Sequence, residues 1–250
     1  MSYVLITGGS GGMGFEMARA FAQRKHPLII SGSREGRLSA AKALLEKEFG
    51  RTVETVAQDL SQPGGAEALH DKVAQAGIEV EILVNNAGMG LLAASEEIDF
   101  KADEALMRLN MIALVELCKL YLPEMYRRGH GKILNVASVA AFQPGPYNAT
   151  YFASKAFVLS YSRAIRHEAK DRGVQVCTLC PGTTRTDFFE KEGMEVPPMA
   201  DSPERVAQFA YRHLMRNQTV MVPGLMNRLS LLIPTGARIG LSAMMKDLKK

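Results

Sequence analysis

The stretch VLITGGSGGMGFEMARAF, residues 4–21, determines how the rest of the chain can be arranged. Its apolar first residues run into a cluster of glycines, and the residues after the cluster have the apolar spacing of a helix. This succession predicts a buried strand, a tight turn and the start of a helix. Such a unit is typical of an α/β fold that binds a ligand at the turn.

The glycine cluster predicts a site for a phosphate group, because glycine lets a ligand approach the backbone closely and a helix start attracts anions. Two spacings fit it: G-x-G-x-x-G at Gly9, Gly11 and Gly14, and T-G-x-x-x-G-x-G at Thr7, Gly8, Gly12 and Gly14. No Lys-Ser or Lys-Thr pair follows, which disfavours a nucleoside-triphosphate P-loop. A loop that only packs the strand against the helix is the alternative, but its position favours a dinucleotide site.

Length and composition describe one globular domain. The 250 residues are 47% hydrophobic and 22% charged with a net charge of +4, so we expect a single α/β domain over residues 1–250. The basic residues are spread along the chain, which argues against nucleic acid as a partner. No apolar run approaches the ~20 residues of a transmembrane helix, and the first strand begins too close to Met1 for a cleavable signal peptide. A cytoplasmic location is therefore expected.

The three cysteines include a C-x-x-C pair, Cys177 and Cys180. An odd count without a scaffold spacing fits a reducing compartment. The pair lies in a predicted strand, where side chains three positions apart point to opposite faces. No second pair or histidine cluster adds ligands, so no metal is expected. We interpret these cysteines as core thiols rather than as a redox or metal motif.

Predicted strands and helices alternate along the chain. After the first strand, apolar runs predict strands at residues 27–31, 53–57, 81–84, 132–136, 174–179 and 219–222. After the first helix, helices are expected from about 35 to 49 and over residues 63–76, 100–128, 150–172 and 203–216. This alternation predicts one parallel sheet covered on both faces, with the ligand at the carboxyl ends of the strands. A closed barrel competes, but the glycine turn after the first strand favours a doubly wound, Rossmann-type sheet.

The end of the second strand bears on the choice between NAD and NADP. NAD-binding folds place an acid about twenty residues beyond the glycines, for the ribose 2′-hydroxyl. Here Arg34 can pair with a 2′-phosphate, and Ser33 can donate to it. A solvated arginine at a helix start is the alternative, and Glu35 keeps NAD(H) open. We favour NADP(H).

Four side chains further along the chain indicate proton transfer. Tyr151 and Lys155 stand four apart in a predicted helix and project from one face. A neighbouring ammonium lowers the pKa of a phenol from about 10, which makes Tyr151 a candidate general acid or base. Ser138, just past the fifth strand, can bond the same substrate oxygen. Asn110 lies on the apolar stripe of its helix; it either kinks the helix and holds a water through its amide, or only bonds a local carbonyl.

These motifs, in this order, make the chain resemble the short-chain dehydrogenase/reductase family over residues 4–189. The motifs that carry the resemblance are Thr7-Gly8-x-x-x-Gly12-x-Gly14, Asp59, Asn85-Asn86-Ala87-Gly88, Asn110, Ser138, Tyr151-x-x-x-Lys155 and Pro181-Gly182. The resemblance implies an NADP(H)-dependent oxidoreductase that transfers a hydride between the nicotinamide and a carbonyl or alcohol. One departure is Gly11, where some NADP-dependent members carry a basic residue.

The resemblance also implies roles for single residues. Lys155 is expected to bond the nicotinamide ribose, and Asn110 with its water would connect Lys155 to solvent. The other residues expected to contact the cofactor are Ser10 and Met13 in the glycine turn, Asp59 and Leu60 near the adenine, Asn86, Ala87 and Gly88 beside the cofactor, Pro181 and Gly182 flanking the nicotinamide, and Thr184 and Thr186 near its carboxamide or the diphosphate.

A substrate loop is expected over residues 186–200, with a length and polarity that suit a lid. Its apolar residues and those of two neighbouring loops would line a pocket for a hydrophobic ketone, aldehyde or acyl compound; they are Phe188, Phe189, Met194, Val196, Pro197, Pro198 and Met199, with Met89, Leu91, Leu92, Phe142 and Tyr147. A packed core beneath the loop explains the same residues.

The stretch 225–250 is rich in leucine, methionine and basic residues, and Pro234 and Gly236 predict two short helices. We interpret it as a cover for the sheet edge or a subunit contact, with weak membrane docking as the alternative. By resemblance, the helices 100–128 and 150–172 are expected to pair in a homodimer or homotetramer. Besides the reductase, two functions stay open: an NADP(H)-sensing binding protein, and a membrane-associated reductase acting on an acyl or lipid substrate.

Overall fold

The computed structural model describes residues 2–186 and 200–247, and this part of the chain forms a parallel sheet between two layers of helices. The strands are β1 Ser2–Thr7, β2 Leu28–Gly32, β3 Val53–Ala57, β4 Glu79–Asn85, β5 Gly131–Val136, β6 Val174–Leu179 and β7 Val220–Met221. The helices are α1 Gly12–Ala22, α2 Glu35–Phe49, α3 Gly65–Gln75, α4 Phe100–Met107, α5 Ala113–Arg128, α6 Ala149–Ala169, α7 Pro203–Met215, α8 Leu225–Ser230 and α9 Thr235–Asp247. The α/β class and the strand positions expected from the sequence are confirmed.

The strand order places a crevice above the glycine turn. The order is β3-β2-β1-β4-β5-β6-β7 and every pairing is parallel. The chain turns from one side of the sheet to the other between β1 and β4, and ligands of such sheets bind at this switch point, beyond the carboxyl ends of the strands. The open, doubly wound sheet is therefore confirmed over the closed barrel.

Alternate residues of the strands fill two cores. Val4 and Ile6 of β1 face one core, which lies under α1, α2 and α7. Leu5, between them, faces the other core, under α3, α5 and α6. Cys177 and Cys180 follow the same rule, since both are buried and free but belong to opposite cores. Their interpretation as core thiols is confirmed.

The helix expected over residues 100–128 is interrupted. A π-helical turn, Arg108–Ile112, separates α4 from α5. An extra residue in one turn is what defines a π-bulge, and such bulges are frequent at functional sites. The helix expected over 150–172 ends at Ala169 and continues as a 3₁₀ turn, Lys170–Arg172.

The C-terminal segment forms two helices, as expected, and the break between them includes Pro234 but not Gly236. Gly236 lies inside α9. Across residues 2–186 and 200–247, none of the helices has the length and apolar character needed to span a bilayer.

Candidate active site

The backbone angles and close contacts of the glycine turn distinguish the two motif spacings. Gly8 and Gly12 have φ of +66° and +52°, which favour glycine. A Cβ at Gly14 would overlap the carbonyl oxygen of Gly8, so α1 can only pack this closely on the turn without one. Gly11 has extended backbone and open space around it. Gly9 is also close-packed, since a Cβ there would lie 2.8 Å from Ile30 Cβ. Every glycine of T-G-x-x-x-G-x-G is therefore required by the structure, whereas G-x-G-x-x-G includes the unconstrained Gly11.

The ends of β1 and β4 are tied together under this turn. The main-chain N–H groups of Asn86 and Ala87 both donate to Thr7 Oγ1 at 3.0 Å. The side chain of Asn86 donates to the carbonyl oxygens of Thr7, at 3.0 Å, and Gly8, at 3.4 Å. Thr7 and Asn86 thus hold the shape of the turn through these atoms.

The end of β2 is open and carries positive charge. Arg34 is the N-cap residue of α2, and both it and Ser33 are exposed. Among the described residues, Arg34 has no ion-pair partner. Ser10 lies beside this strand end, where a Cβ on Gly32 would be 3.1 Å from Ser10 Oγ. The glycine turn and Arg34 therefore belong to one surface.

Asp59 and Leu60 follow β3 at the same edge of the sheet. Asp59 Oδ1 accepts hydrogen bonds from the N–H and the hydroxyl of Ser61 at 2.9 and 2.7 Å. Burial raises the pKa of Asp59, but the hydrogen bonds from Ser61 and Gln62 together outweigh it and leave the pKa below its ordinary value. Leu60 is buried in the core below. Asp59 is thus a fixed, ionised acceptor near the mouth of the crevice.

Ser138 lies just beyond β5 and begins a 3₁₀ turn, Val139–Phe142. Its Oγ accepts from Ala140 N at 3.1 Å and donates to the Pro181 carbonyl oxygen over a long 3.4 Å. Val139 N donates to the same carbonyl at 2.9 Å. The serine hydrogen is weakly engaged and can turn to a substrate oxygen.

Tyr151 and Lys155 lie one turn apart on α6, as expected. Lys155 Nζ is 5.6 Å from the centre of the Tyr151 ring and donates to the Val136 carbonyl oxygen at 3.0 Å. Lys155 is buried. Burial lowers the pKa of Lys155 to about 8, against a smaller opposing effect of the Cys180 thiol. The ammonium thus titrates close to neutral pH beside a half-buried phenol.

Asn110, in the π-helical turn, is also buried and has partners. Its Oδ1 accepts from Met89 N at 2.9 Å, and its Nδ2 donates to Met89 O at 2.8 Å and to Ser154 Oγ at 3.1 Å. Both amide hydrogens are used inside the protein, and the expected water on the amide of Asn110 stays a prediction. A Cβ on Gly88 would lie 3.2 Å from Asn110 Oδ1 and 3.4 Å from Lys155 Nζ. Gly88 therefore keeps this corner of the crevice open.

The segment after β6 closes one side of the crevice. Thr184 Oγ1 donates to the Gly182 carbonyl oxygen at 3.0 Å, and Thr184 forms an isolated bridge with Asp201. A Cβ on Gly12 would lie 3.3 Å from Thr186 Cβ, so this segment reaches the glycine turn. The bridge brings the two ends of the expected substrate loop together, while its apolar residues in 187–199 lie outside the described residues.

The remaining residues expected at the pocket lie in two loops that contact each other. Met89, Leu91, Leu92, Phe142 and Tyr147 are all half-buried, and Ala93 N donates to the Tyr147 carbonyl oxygen at 3.0 Å. These loops flank the segment that carries Tyr151.

Sequence reasoning missed two features of the site. Asn85 Nδ2 donates to Asn135 Oδ1 at 2.9 Å, and Asn135 Nδ2 donates to Ser162 Oγ at 2.9 Å, which forms a buried polar chain beneath the crevice. An asparagine inside the apolar run of β5 was the available signal. Asn227 of α8 packs against Gly182, and nothing in the sequence pattern indicates that contact.

A parallel sheet with a glycine turn at its switch point, and a serine, a tyrosine and a lysine beside that turn, defines a nucleotide-dependent oxidoreductase of Rossmann type. The family model for short chain dehydrogenase matches residues 2–196. The chain belongs to the short-chain dehydrogenase family, and the family suggested by its motifs is confirmed.

Known relatives share this fold at moderate identity. A short-chain dehydrogenase from Sphingobium yanoikuyae, solved in complex with NADPH, has a TM-score of 0.86 and 32% identity, covering 97% of this chain and 95% of its own. The bulky-bulky ketone specific alcohol dehydrogenase of Comamonas testosteroni has a TM-score of 0.81 and 28% identity, covering 97% and 94%. The ketoacyl reductase HetN of a Nostoc species is 29% identical over 202 residues, 80% of this chain and 68% of that protein.

Proposed function

We propose that this protein is an NADP(H)-dependent oxidoreductase that interconverts a carbonyl and an alcohol on a hydrophobic substrate, with Tyr151 as the general acid and base. The observation that carries the proposal is the buried ammonium of Lys155, 5.6 Å from the Tyr151 ring. A buried cation next to a phenol favours the phenolate, and a phenol of lowered pKa can exchange a proton near neutral pH.

The residues present fit a dinucleotide. Glycines 8, 12 and 14 leave the turn without side chains, and the first turn of α1 has no acidic residue to repel a diphosphate. At the far end of the same surface, exposed Arg34 supports NADP over NAD, because a guanidinium can pair with a 2′-phosphate. The NADPH bound to the Sphingobium relative also supports this choice.

The nicotinamide would supply or accept the hydride when bound. Ser138 Oγ would donate a hydrogen bond to the substrate carbonyl oxygen, turning from its long contact with Pro181. Tyr151 would give its hydroxyl proton to the same oxygen during reduction and take it back during oxidation. Lys155, held by the Val136 carbonyl, would stabilise the phenolate that remains.

The substrate proposal rests on the half-buried apolar side chains of the two loops beside Tyr151. Apolar walls with a few polar groups are typical of pockets for hydrophobic ligands. The specificity of the Comamonas relative for bulky-bulky ketones supports testing large ketones first.

Substitution of Tyr151 by phenylalanine tests the proposal. We expect the turnover of a ketone panel with NADPH to fall by roughly 10²–10⁴-fold, since general acid catalysis contributes this much. NADPH affinity, measured by calorimetry, should stay close to that of the unaltered protein. Tyr161→Phe, on the same helix, is the matched control and should keep full activity. A Tyr151→Phe protein that still turns over at the original rate would exclude the role given to this phenol.

A further inference from the structure

The C-terminal segment presents an apolar face to solvent. Leu225 and Leu232 are 70% and 79% exposed, and the neighbouring large side chains are also exposed. We call this surface the C-terminal apolar face; it consists of Leu225, Met226, Leu229, Leu232 and Ile233. Apolar side chains clustered in this way mark an interaction surface more often than single exposed ones do.

Polar contacts hold α8 in this orientation. On its inner side, Asn227 Nδ2 donates to the Pro223 carbonyl oxygen at 2.8 Å and to Asp201 Oδ2 at 3.3 Å. Arg228 Nε donates to the Val222 carbonyl oxygen at 2.8 Å, and its guanidinium lies 5.8 Å from the centre of the Phe209 ring. The polar side of this helix therefore faces the protein and its apolar side faces out, the reverse of an ordinary surface helix. The apolar face does not cover the sheet edge.

The charges of the segment indicate what binds to the C-terminal apolar face. Among the residues of this segment whose side chains the structure describes, Arg228, which is exposed, and Arg238 are basic, and none is acidic. A second copy of this chain on the same face would bring like charges together, because a two-fold contact pairs a patch with itself. An anionic lipid surface would instead neutralise them while its acyl chains accept the leucines.

We propose that the C-terminal apolar face docks on an anionic bilayer and holds the protein at its surface. Asn227 packs against Gly182 and donates a hydrogen bond to Asp201. These contacts place the start of the C-terminal segment beside the crevice. The docked face would therefore lie next to the crevice, where a hydrophobic molecule could pass from lipid to protein. The docking itself does not depend on the proposed function.

Vesicle flotation of the full-length protein tests the docking. We expect it to float with vesicles of phosphatidylcholine and phosphatidylglycerol, and to float less in high salt or with phosphatidylcholine alone. The triple variant Leu225→Ser, Leu229→Ser, Leu232→Ser should partition at least roughly tenfold more weakly, because each leucine loses its apolar burial in lipid. Its melting temperature should not change, since these side chains are exposed.

The control is Leu44→Ser with Phe100→Ser, two exposed apolar residues elsewhere on the surface, and this protein should float like the unaltered one. Absence of flotation, or equal flotation of the triple variant, would overturn the proposal. So would a self-association in light scattering that the triple variant loses while neither protein binds vesicles, because the face would then be a contact between copies. Turnover on ketones is measured separately, so failure of the docking and failure of the proposed enzyme activity are distinguishable.

Discussion

Lys155 carries an ammonium that is buried inside the protein, with a hydrogen bond to the Val136 carbonyl oxygen at 3.0 Å. Burial lowers its pKa from the ordinary 10.5 to about 8. Keeping this group charged at neutral pH therefore costs folding free energy, on the order of 3 kcal/mol. Lys155 also faces Tyr151. A buried charge that lowers stability but is kept beside a reactive group is characteristic of a functional site.

Replacing Lys155 with methionine should stabilise the protein and abolish turnover. The variant removes the buried charge but leaves the Val136 carbonyl without its donor, so we expect a net gain of about 1–2 kcal/mol at pH 7. Turnover should vanish because Tyr151 loses the cation that favours its phenolate. Urea denaturation and a ketone assay with NADPH measure the two effects.

The pH dependence of this difference has a definite sign. The folded protein holds fewer protons on Lys155 than the unfolded chain between pH 8 and 10.5, so the unaltered protein gains stability as the pH rises through this range. The stability gap to the methionine variant should therefore shrink above pH 8. A gap that stays constant up to pH 10 would show that burial does not perturb this lysine.

Arg34 is the residue on which the choice of NADP depends. Arg34→Ala should weaken NADPH binding by roughly tenfold or more, because a hydrogen-bonded charge pair contributes about 1.5–3 kcal/mol. NADH, which lacks the 2′-phosphate, should bind with unchanged affinity. Calorimetry on both nucleotides provides the measurement. The control is Arg51→Ala, which removes an exposed arginine before β3, at the amino ends of the strands. Equal losses of affinity for NADPH and NADH in the Arg34→Ala protein would count against the role given to Arg34.

Among single residues, the sequence predicted types and positions better than contacts. The spacing of Tyr151 and Lys155 on a helix was enough to place both on one face. The glycine turn allowed two motif spacings, and only backbone angles and close approach distinguish them: Gly12 has positive φ, whereas Gly11 is extended and open. Asn227 against Gly182 joins residues 45 positions apart, and no local pattern encodes such a pairing.

At the level of elements, the helix predicted over residues 100–128 is interrupted between α4 and α5. Apolar spacing over residues 100–128 predicts a continuous helix, because the residues on either side of the interruption keep the period of a helix. The structure places a π-helical turn there, and Asn110 in it bonds both main-chain groups of Met89. The π-helical turn thus places the side-chain amide of Asn110 against the loop that carries Gly88.

Asn110→Ala tests whether this turn supports the site. The substitution leaves the N–H and the carbonyl of Met89 without their partner, so we expect a loss of about 2–4 kcal/mol in the free energy of unfolding. Ser154→Ala removes one of the three hydrogen bonds of Asn110 and should cost about 1 kcal/mol. Urea denaturation compares the two. Equal losses would show that the bonds to Met89 contribute little.

Across the whole molecule, the two cores share the strands that separate them. Neighbouring residues of β1, such as Leu5 and Ile6, belong to different cores, so neither layer of helices can leave without exposing the sheet that supports the other. The alternation of strands and helices was sufficient to predict these layers, since parallel strands need covering on both faces. The buried chain of Asn85, Asn135 and Ser162 was not predictable, because a polar residue in an apolar strand does not indicate its partner.

The three cysteines report on this coupling, because they are buried in both cores. Cys177 belongs to one core, and Cys118 and Cys180 to the other. Burial raises the pKa of all three thiols, to about 12 for Cys118 and Cys180, so an aromatic disulfide reagent that attacks thiolates should find none reactive in the folded protein. With increasing urea, all three should become reactive in one transition that coincides with the loss of helix signal. Mass spectrometry of the labelled peptides resolves each site, and labelling of Cys118 at lower urea than Cys177 would show that the two layers open separately.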